Sequence, residues 1–355
     1  MTGENMKSQS IENFGAPLVE VTGSMPQPKN SEIVVEVSHC GVCHSDVHMH
    51  DGYFDLGGGQ KLDVTGGRAM PFTLGHEMEG RVAAVGPDVR HSRVGDRRVI
   101  YPWIGCGACP PCQRGQDQLC ARPEALGVMR NGGYATHCLV PDERYALDPG
   151  NIAPGLAGIF MCGGLTAYTA LRRITDMTDE PVLLVGLGGV GMMGLQFALN
   201  MLDVPVFVTD IDAEKRRTAL AAGATEAFDP QEEGSLKNII KMTQGGVGAA
   251  IDFVGADNTL AMASGAIRKG GKMVVTGMLG GKLTIPAAIL AMRSIQVFGS
   301  YTGSLEDTKE MLETVKKIDF NTIPLDMRPL NQATKALDDL RAGKVMGRVV
   351  LTPGA

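Results

Sequence analysis

The apolar run Pro181–Val185 is followed at once by Gly186-Leu187-Gly188-Gly189-Val190-Gly191, and this junction constrains the fold more than any other feature of the chain. A buried strand that breaks into Gly-x-Gly-x-x-Gly and continues as a helix is the opening of a doubly wound parallel sheet. Gly186 allows the tight turn, Gly188 lets backbone approach a pyrophosphate, and Gly191 lets the helix pack on the strand. The helix N-terminus then attracts the anion. Alone, the glycines would also fit an ordinary strand-to-helix turn. The context adds to them: the next strand, VPVFVT, ends at Asp210, 19 residues beyond Gly191. An acid there accepts the ribose hydroxyls of an adenosine and repels a 2′-phosphate, which favours NAD over NADP. Asp212 is read as the cap of a helix beginning at Ala213. Lys215 reaches the ribose edge or is a solvated helix charge.

The texture around this motif divides the 355 residues. Residues 1–154 read as strands and turns, with β-branched runs such as EIVVEVSHC and DRRVIYP broken by Gly, Pro and Asp. Residues 51–68 are Gly-rich and aperiodic, and are expected to form a long surface loop. From Gly155 onward strands alternate with helical patterns, the signature of a parallel α/β sheet. Two amphipathic helices and the strand GRVVLTP close the chain. A net charge of −6 without any basic block argues against general nucleic-acid binding. The charge-free stretch 181–201 is interrupted by five glycines and reads as strand, turn and helix rather than a membrane span. The N-terminus has no apolar core of a secretory signal, so a cytoplasmic protein is expected.

Eight cysteines would suggest disulfides if they were dispersed, but they are clustered. Cys106, Cys109, Cys112 and Cys120 are spaced to wrap one ion, with Zn²⁺ suited to four thiolates and an iron–sulfur cluster as the rival. Four thiolates leave no open position, so this site is expected to be structural. Cys40 and Cys43 stand beside His44, Ser45, Asp46 and His48, while His76 and Glu77 follow the Gly-rich segment. Covalent haem attachment and a thioredoxin-like pair both use CxxC. The first lacks an export signal, and no helical pattern follows to support the second. Spacing alone leaves the assembly of these residues open.

The motifs GVCHSDVH at 41–48, GHE at 75–77, the four-cysteine lobe and GLGGVG with Asp210 resemble, in order and spacing, the zinc-containing alcohol dehydrogenases of the medium-chain dehydrogenase/reductase family, especially its bacterial and yeast-like branch. The resemblance implies a GroES-like, mostly β catalytic domain (1–154), a Rossmann domain (155–294) and a C-terminal return to the catalytic domain (295–355). It implies NAD, two zinc ions per chain, and a homotetramer or dimer. Carried over by position, Cys43, His76 and Cys162 are the catalytic-metal ligands and Glu77 the acid behind the ion. Asp46 orients the imidazole, and Ser45 and His48 form a proton relay. His44 lies near the pyrophosphate, and Gly186, Gly188, Gly189, Val190 and Gly191 cradle it. Asp210 and Lys215 hold the adenosine ribose. Thr166, Val254 and Thr276 border the nicotinamide, and Arg348 lies near the cofactor. Cys40 becomes a bystander.

The implied reaction is reversible hydride transfer between an alcohol and NAD. The same residues would serve a carbonyl reductase, and Cys162, where polyol dehydrogenases often carry Glu, argues against a sorbitol-type site. A non-catalytic dinucleotide-binding protein is the remaining alternative. His76 lies 33 residues after Cys43, a longer gap than in the compact members, so residues 53–68 are expected to border the substrate entrance or a subunit contact. Tyr101, Pro102 and Trp103 are read as a pocket wall, with plain packing as the alternative for Trp103.

Overall fold

A computed structural model describes residues 5–177, 179–318, 320 and 323–354. Two sheets dominate them. The strands Glu226–Phe228, Val206–Thr209, Val182–Val185, Val247–Asp252, Ile267–Val275 and Gln296–Gly299 lie side by side in that order, all parallel. In chain order this is 3-2-1-4-5-6, the doubly wound arrangement, whose ligand crevice lies at the carboxyl end of its first strand. Val182–Val185 is buried on both faces, as a strand covered by helices above and below must be. The sheet runs five residues past the expected boundary at 294. Gln296–Gly299 is its edge strand and not part of the returning segment.

The second sheet is antiparallel over most of its width. It is built on Ile33–Gly41, flanked by Glu77–Val85 on one side and Arg348–Thr352 on the other. The C-terminus thus returns to the N-terminal layer, with Val350 opposite Gly41 and Leu351 opposite Cys40. A strand that gave no sequence signal, Leu325–Pro329, pairs in parallel with this last one.

Two local readings are corrected, and one strand has an unexpected composition. A helix, His44–Asp51, does follow Cys43. Its buried residues include Asp46 and His50, so no apolar stripe marked it. Residues 51–68 are not a plain loop. Tyr53–Gly57 and Gln60–Asp63 pair as a hairpin, turned by Gly57, Gly58 and Gly59, all at positive φ. The first strand, Asn5–Ile11, is polar in sequence yet buries Ser8, Gln9 and Ser10. Its hydroxyls satisfy one another, Ser8 to Ser10 and Ser10 to Thr73, each at 2.9 Å, which removes the cost of burying them.

Cys162 sits in a distorted helix. Leu156–Ile159 and Leu165–Arg172 are α-helical, and Phe160–Gly164 between them is a π-turn. Such insertions recur at functional sites because they turn a side chain out of the regular ladder.

The dinucleotide-type turn tolerates no side chain at its third glycine. A Cβ on Gly191 would lie 1.8 Å from the carbonyl oxygen of Gly186. Gly191→Ala is expected to lower unfolding stability by about 1–3 kcal/mol through overpacking, measured by urea denaturation; a change within error would contradict this reading of the turn.

Candidate active site

The buried carboxylate of Asp46 organises the first part of the site. Its Oδ1 accepts from His76 Nδ1 at 3.1 Å and from the Gly75 amide at 3.2 Å. Its Oδ2 accepts from the Cys43 amide at 2.9 Å and from the Tyr134 hydroxyl at 3.1 Å. Cys43 is the residue before the helix, and Asp46 returns to its amide from the first turn. One side chain therefore caps the helix and fixes the imidazole. Burial alone would disfavour a charged His76 ring, but the carboxylate outweighs it and raises the pKa.

His76 Nε2 is buried and has no hydrogen-bond partner. Ligand atoms of Cys43, His76, Glu77 and Cys162 all lie within 4.8 Å of one another. The Cys43 and Cys162 sulfurs are 4.0 Å apart. Ligands about 2.0–2.3 Å from a tetrahedral zinc stand about 3.3–3.8 Å from each other, so these two sulfurs and the orphaned nitrogen suit one ion. The hydrogen bond from Cys162 lowers the Cys43 pKa, and Cys162 is raised in turn. Cys40 stands outside the cluster, its thiol raised by burial.

Glu77 faces Gly41 across the sheet. A Cβ on Gly41 would fall 2.1 Å from Glu77 Oε2, so the glycine makes room for the acid. Glu77 pairs with Arg348 and accepts from the Gly163 amide at 3.3 Å. Burial pushes its pKa up to about 7, against the pull of Arg348. Arg348 is itself buried and threads between two glycines. A Cβ on Gly163 would lie 2.4 Å from its Nη1, and one on Gly189 2.3 Å from its Cδ. A single side chain thus spans the gap from the cysteine–histidine cluster to the dinucleotide turn. The resemblance placed Arg348 near the cofactor; the structure places it beneath the turn, with its charge directed at Glu77.

On the helix after Cys43, Ser45 Oγ is 3.8 Å from the Cys43 sulfur. His48, one turn on and half-buried, packs at a tilt on Phe54 of the hairpin with 4.6 Å between ring centres. His44 is exposed at the helix start. Asp210 accepts from the Leu187 amide at 2.6 Å and from the Asp212 amide at 2.8 Å. Each oxygen keeps a further lone pair for a ribose hydroxyl. Gly188 precedes the helix that Gly189, Val190 and Gly191 begin. Asp212 caps the next helix, as its position suggested, and Lys215 lies in that helix's first turn. Val254 packs over Gly186. Thr276 donates its hydroxyl to the Asp252 carbonyl at 3.2 Å. Thr166 is half-buried on the helix that follows Cys162.

Cys106, Cys109, Cys112 and Cys120 also converge within 4.8 Å. Cys109 is 3.4 Å from Cys112 and 3.7 Å from Cys120, again the spacing of thiolates around zinc. The amides of Cys106 and Arg122 each donate to the Cys120 sulfur at 3.3 Å. Amides of Ala108 and Cys109 hold the Cys106 thiol down, at about 6.

The aromatic wall differs from expectation at Tyr101. That side chain is wholly buried and donates to the Gly303 carbonyl at 2.9 Å. Trp103 is buried too, but its ring lies 5.4 Å from His76 and 5.7 Å from the half-exposed ring of Tyr301. Sequence reasoning missed Tyr301, Tyr134 and Asp252. The last ties down the turn beside Val254 by accepting from the amides of Val254 and Gly255. None of the three stands in a recognisable motif.

Residues 29–149 match the alcohol dehydrogenase GroES-like domain, and residues 189–317 match the zinc-binding dehydrogenase domain. An NAD-dependent alcohol dehydrogenase of Sulfurisphaera tokodaii is 31% identical over 98% of this chain and 100% of its own length. The one from Sulfolobus acidocaldarius is 33% identical over 98% and 99%. The chain belongs to the zinc-binding alcohol dehydrogenase family. Among solved structures of the family, the alcohol dehydrogenase of Aeropyrum pernix superimposes with a TM-score of 0.86 at 25% identity, covering 98% of this chain and all of that one. The GroES-like and Rossmann architecture is therefore shared along the whole chain.

Asp46→Ala would leave four donors, three of them buried, without an acceptor. Such losses cost about 1–3 kcal/mol each where no water replaces the partner. The variant is expected to lose about 3–5 kcal/mol, at the upper end for single substitutions. Denaturant unfolding checks this; a loss under about 1 kcal/mol would mean that the carboxylate does not hold the site together.

Proposed function

We propose that the chain is an NAD-dependent zinc alcohol dehydrogenase that interconverts a primary or secondary alcohol with its aldehyde or ketone. The observation that carries this is the partnerless His76 Nε2, buried beside two cysteine sulfurs and one arginine side chain away from the dinucleotide turn. Zinc held by Cys43, His76 and Cys162 would supply a Lewis acid to the substrate oxygen, and NAD would supply the hydride acceptor. The protein's own groups do the rest. Asp46 holds His76 in the tautomer that leaves Nε2 free to ligate. Arg348 keeps the Glu77 charge compensated in a site already carrying thiolates. Ser45, next to Cys43, receives the hydroxyl proton, and His48 passes it to solvent from one turn further along the helix. Asp210 selects an unphosphorylated adenosine ribose, and Lys215, in the first turn of the helix that follows, is assigned to the same ribose.

We assign a second, structural zinc to the four-cysteine lobe. All eight cysteines are unbridged, which suits a reducing compartment such as the cytoplasm. No helix among the described residues is long and apolar enough to cross a membrane. We further infer that copies of the chain associate along the edge strand Gln296–Gly299. An open strand edge invites pairing. Here it carries exposed Val297, and the exposed Met278, Leu279, Leu283, Ile289, Leu290 and Met292 lie on the neighbouring segments. The expectation of a dimer or tetramer is retained on this ground.

The test is NAD reduction, followed by absorbance, across primary, secondary, aromatic and polyol substrates, with zinc measured on the same samples. The wild type is expected to turn over alcohols with two zinc ions per chain. Cys43→Ala and Cys112→Ala should each lose one ion, and only the first should lose activity with the fold intact. Ser45→Ala should keep both ions, with kcat lower by about a hundredfold or more. NADH binding without turnover of any alcohol or carbonyl would reduce the protein to a dinucleotide binder. Val297→Lys is expected to yield a lighter species in light scattering; an unchanged mass would move the interface elsewhere.

A further inference from the structure

We propose that Phe54, on the hairpin formed by residues 53–63, is a positioning residue that fixes the His48 ring for proton transfer. The inference rests on the reading of His48 as a relay. The two ring centres are 4.6 Å apart with an angle of 32° between their planes, close enough for one face to set the orientation of the other. His48 has no side-chain hydrogen bond among the described residues. Its neighbour His50, by contrast, is tied through Nε2 to the Ala16 carbonyl at 2.7 Å. Among the described residues the Phe54 ring is the one ring packed on His48, and it stands in place of the carboxylate or carbonyl that usually orients a catalytic imidazole.

Phe54 is itself held from two directions. Its half-buried side chain packs on the main core. The tip of its hairpin rests on the cofactor domain, where a Cβ on Gly57 would lie 2.3 Å from the Gly280 carbonyl oxygen and one on Gly280 2.8 Å from Asp55 Cγ. The Gly280 loop follows the strand Ile267–Val275 and Thr276 just beyond its end, so the hairpin reaches from the relay helix to the side of the Rossmann sheet assigned to the nicotinamide. An exposed hairpin with little core of its own gains a fixed position from these two contacts. A proton relay works only within hydrogen-bond reach. A ring free to rotate about its side-chain bonds would spend part of its time out of line.

The experiment is a double-mutant cycle between His48→Gln and Phe54→Ala, with Phe54→Tyr as the conservative variant, and zinc content and melting temperature recorded for each. Phe54→Ala is expected to lower kcat about tenfold with little change in KM, a fraction of the full general acid–base contribution. The double variant should be no slower than His48→Gln alone, and Phe54→Tyr should restore turnover. Proton NMR of histidine-labelled protein without substrate gives a second readout. His48 ring protons should be shifted upfield by the Phe54 ring in the wild type and lose that shift in Phe54→Ala. Effects that multiply in the double variant, or wild-type turnover of Phe54→Ala beside an impaired His48→Gln, would overturn the role of Phe54 alone. Wild-type turnover of His48→Gln would overturn the relay reading and this inference with it.

Discussion

Everything in the active site is referenced to one buried carboxylate. An ionised group out of water is costly unless its lone pairs are filled, and Asp46 meets that condition with four donors from four places in the chain. The arrangement converts a solvation requirement into geometry. The Cys43 amide fixes where the helix His44–Asp51 begins, and so where Ser45 and His48 point. The His76 ring is fixed by its other nitrogen. The Gly75 amide fixes the strand entry that carries His76 and Glu77. Removing the carboxylate would not delete one contact; it would release every element that meets there.

A second buried charge joins this unit to the cofactor side. Arg348 enters on the last strand, which the chain brings back beside Ile33–Gly41. Its guanidinium pairs with Glu77 while its stem passes Gly189 and its head passes Gly163. Breaking such a buried pair leaves an uncompensated charge, which typically costs about 3–5 kcal/mol. The C-terminal segment is thereby tied to the site, for without it Glu77 would have no cationic partner. The same side chain sets how close the π-turn bearing Cys162 comes to the dinucleotide turn.

The parts legible in the sequence were those whose physics is local. Gly186 to Gly191 and Asp210 belong to one strand–turn–helix–strand unit, and Cys106 to Cys120 belong to one lobe, so spacing along the chain approximates spacing in space. The grouping of Cys43, His76 and Cys162 is not local, and it came from family resemblance rather than from spacing. What stayed hidden was decided by tertiary partners. The strand Asn5–Ile11 carries no alternation of apolar residues because its buried side is filled by hydroxyls bonded to one another. The helix after Cys43 buries an acid and a histidine, so its pattern reads as polar. Tyr134 lies 88 residues from the Asp46 it serves. The hairpin at 53–63 is exposed on most of its surface, and its pairing is set by three positive-φ glycines rather than by hydrophobic period. The extension of the parallel sheet to Gly299 depended on which neighbour an apolar strand would choose.

The chain carries 47 glycines, and the site shows what some of their close approaches are for. At Gly41 the missing side chain is replaced by the Glu77 carboxylate, at Gly163 by the Arg348 guanidinium, at Gly189 by the Arg348 stem, and at Gly191 by a backbone carbonyl. Of these four, Gly189 and Gly191 belong to the dinucleotide turn itself. Gly41, Gly163 and Gly189 make room for a charged pair that lies between the two halves of the active site. At these four positions glycine serves less to bend the backbone than to let functional groups occupy the volume a side chain would have filled. A flexible role would leave those volumes open, and here each is already taken by an atom of the catalytic machinery or its support.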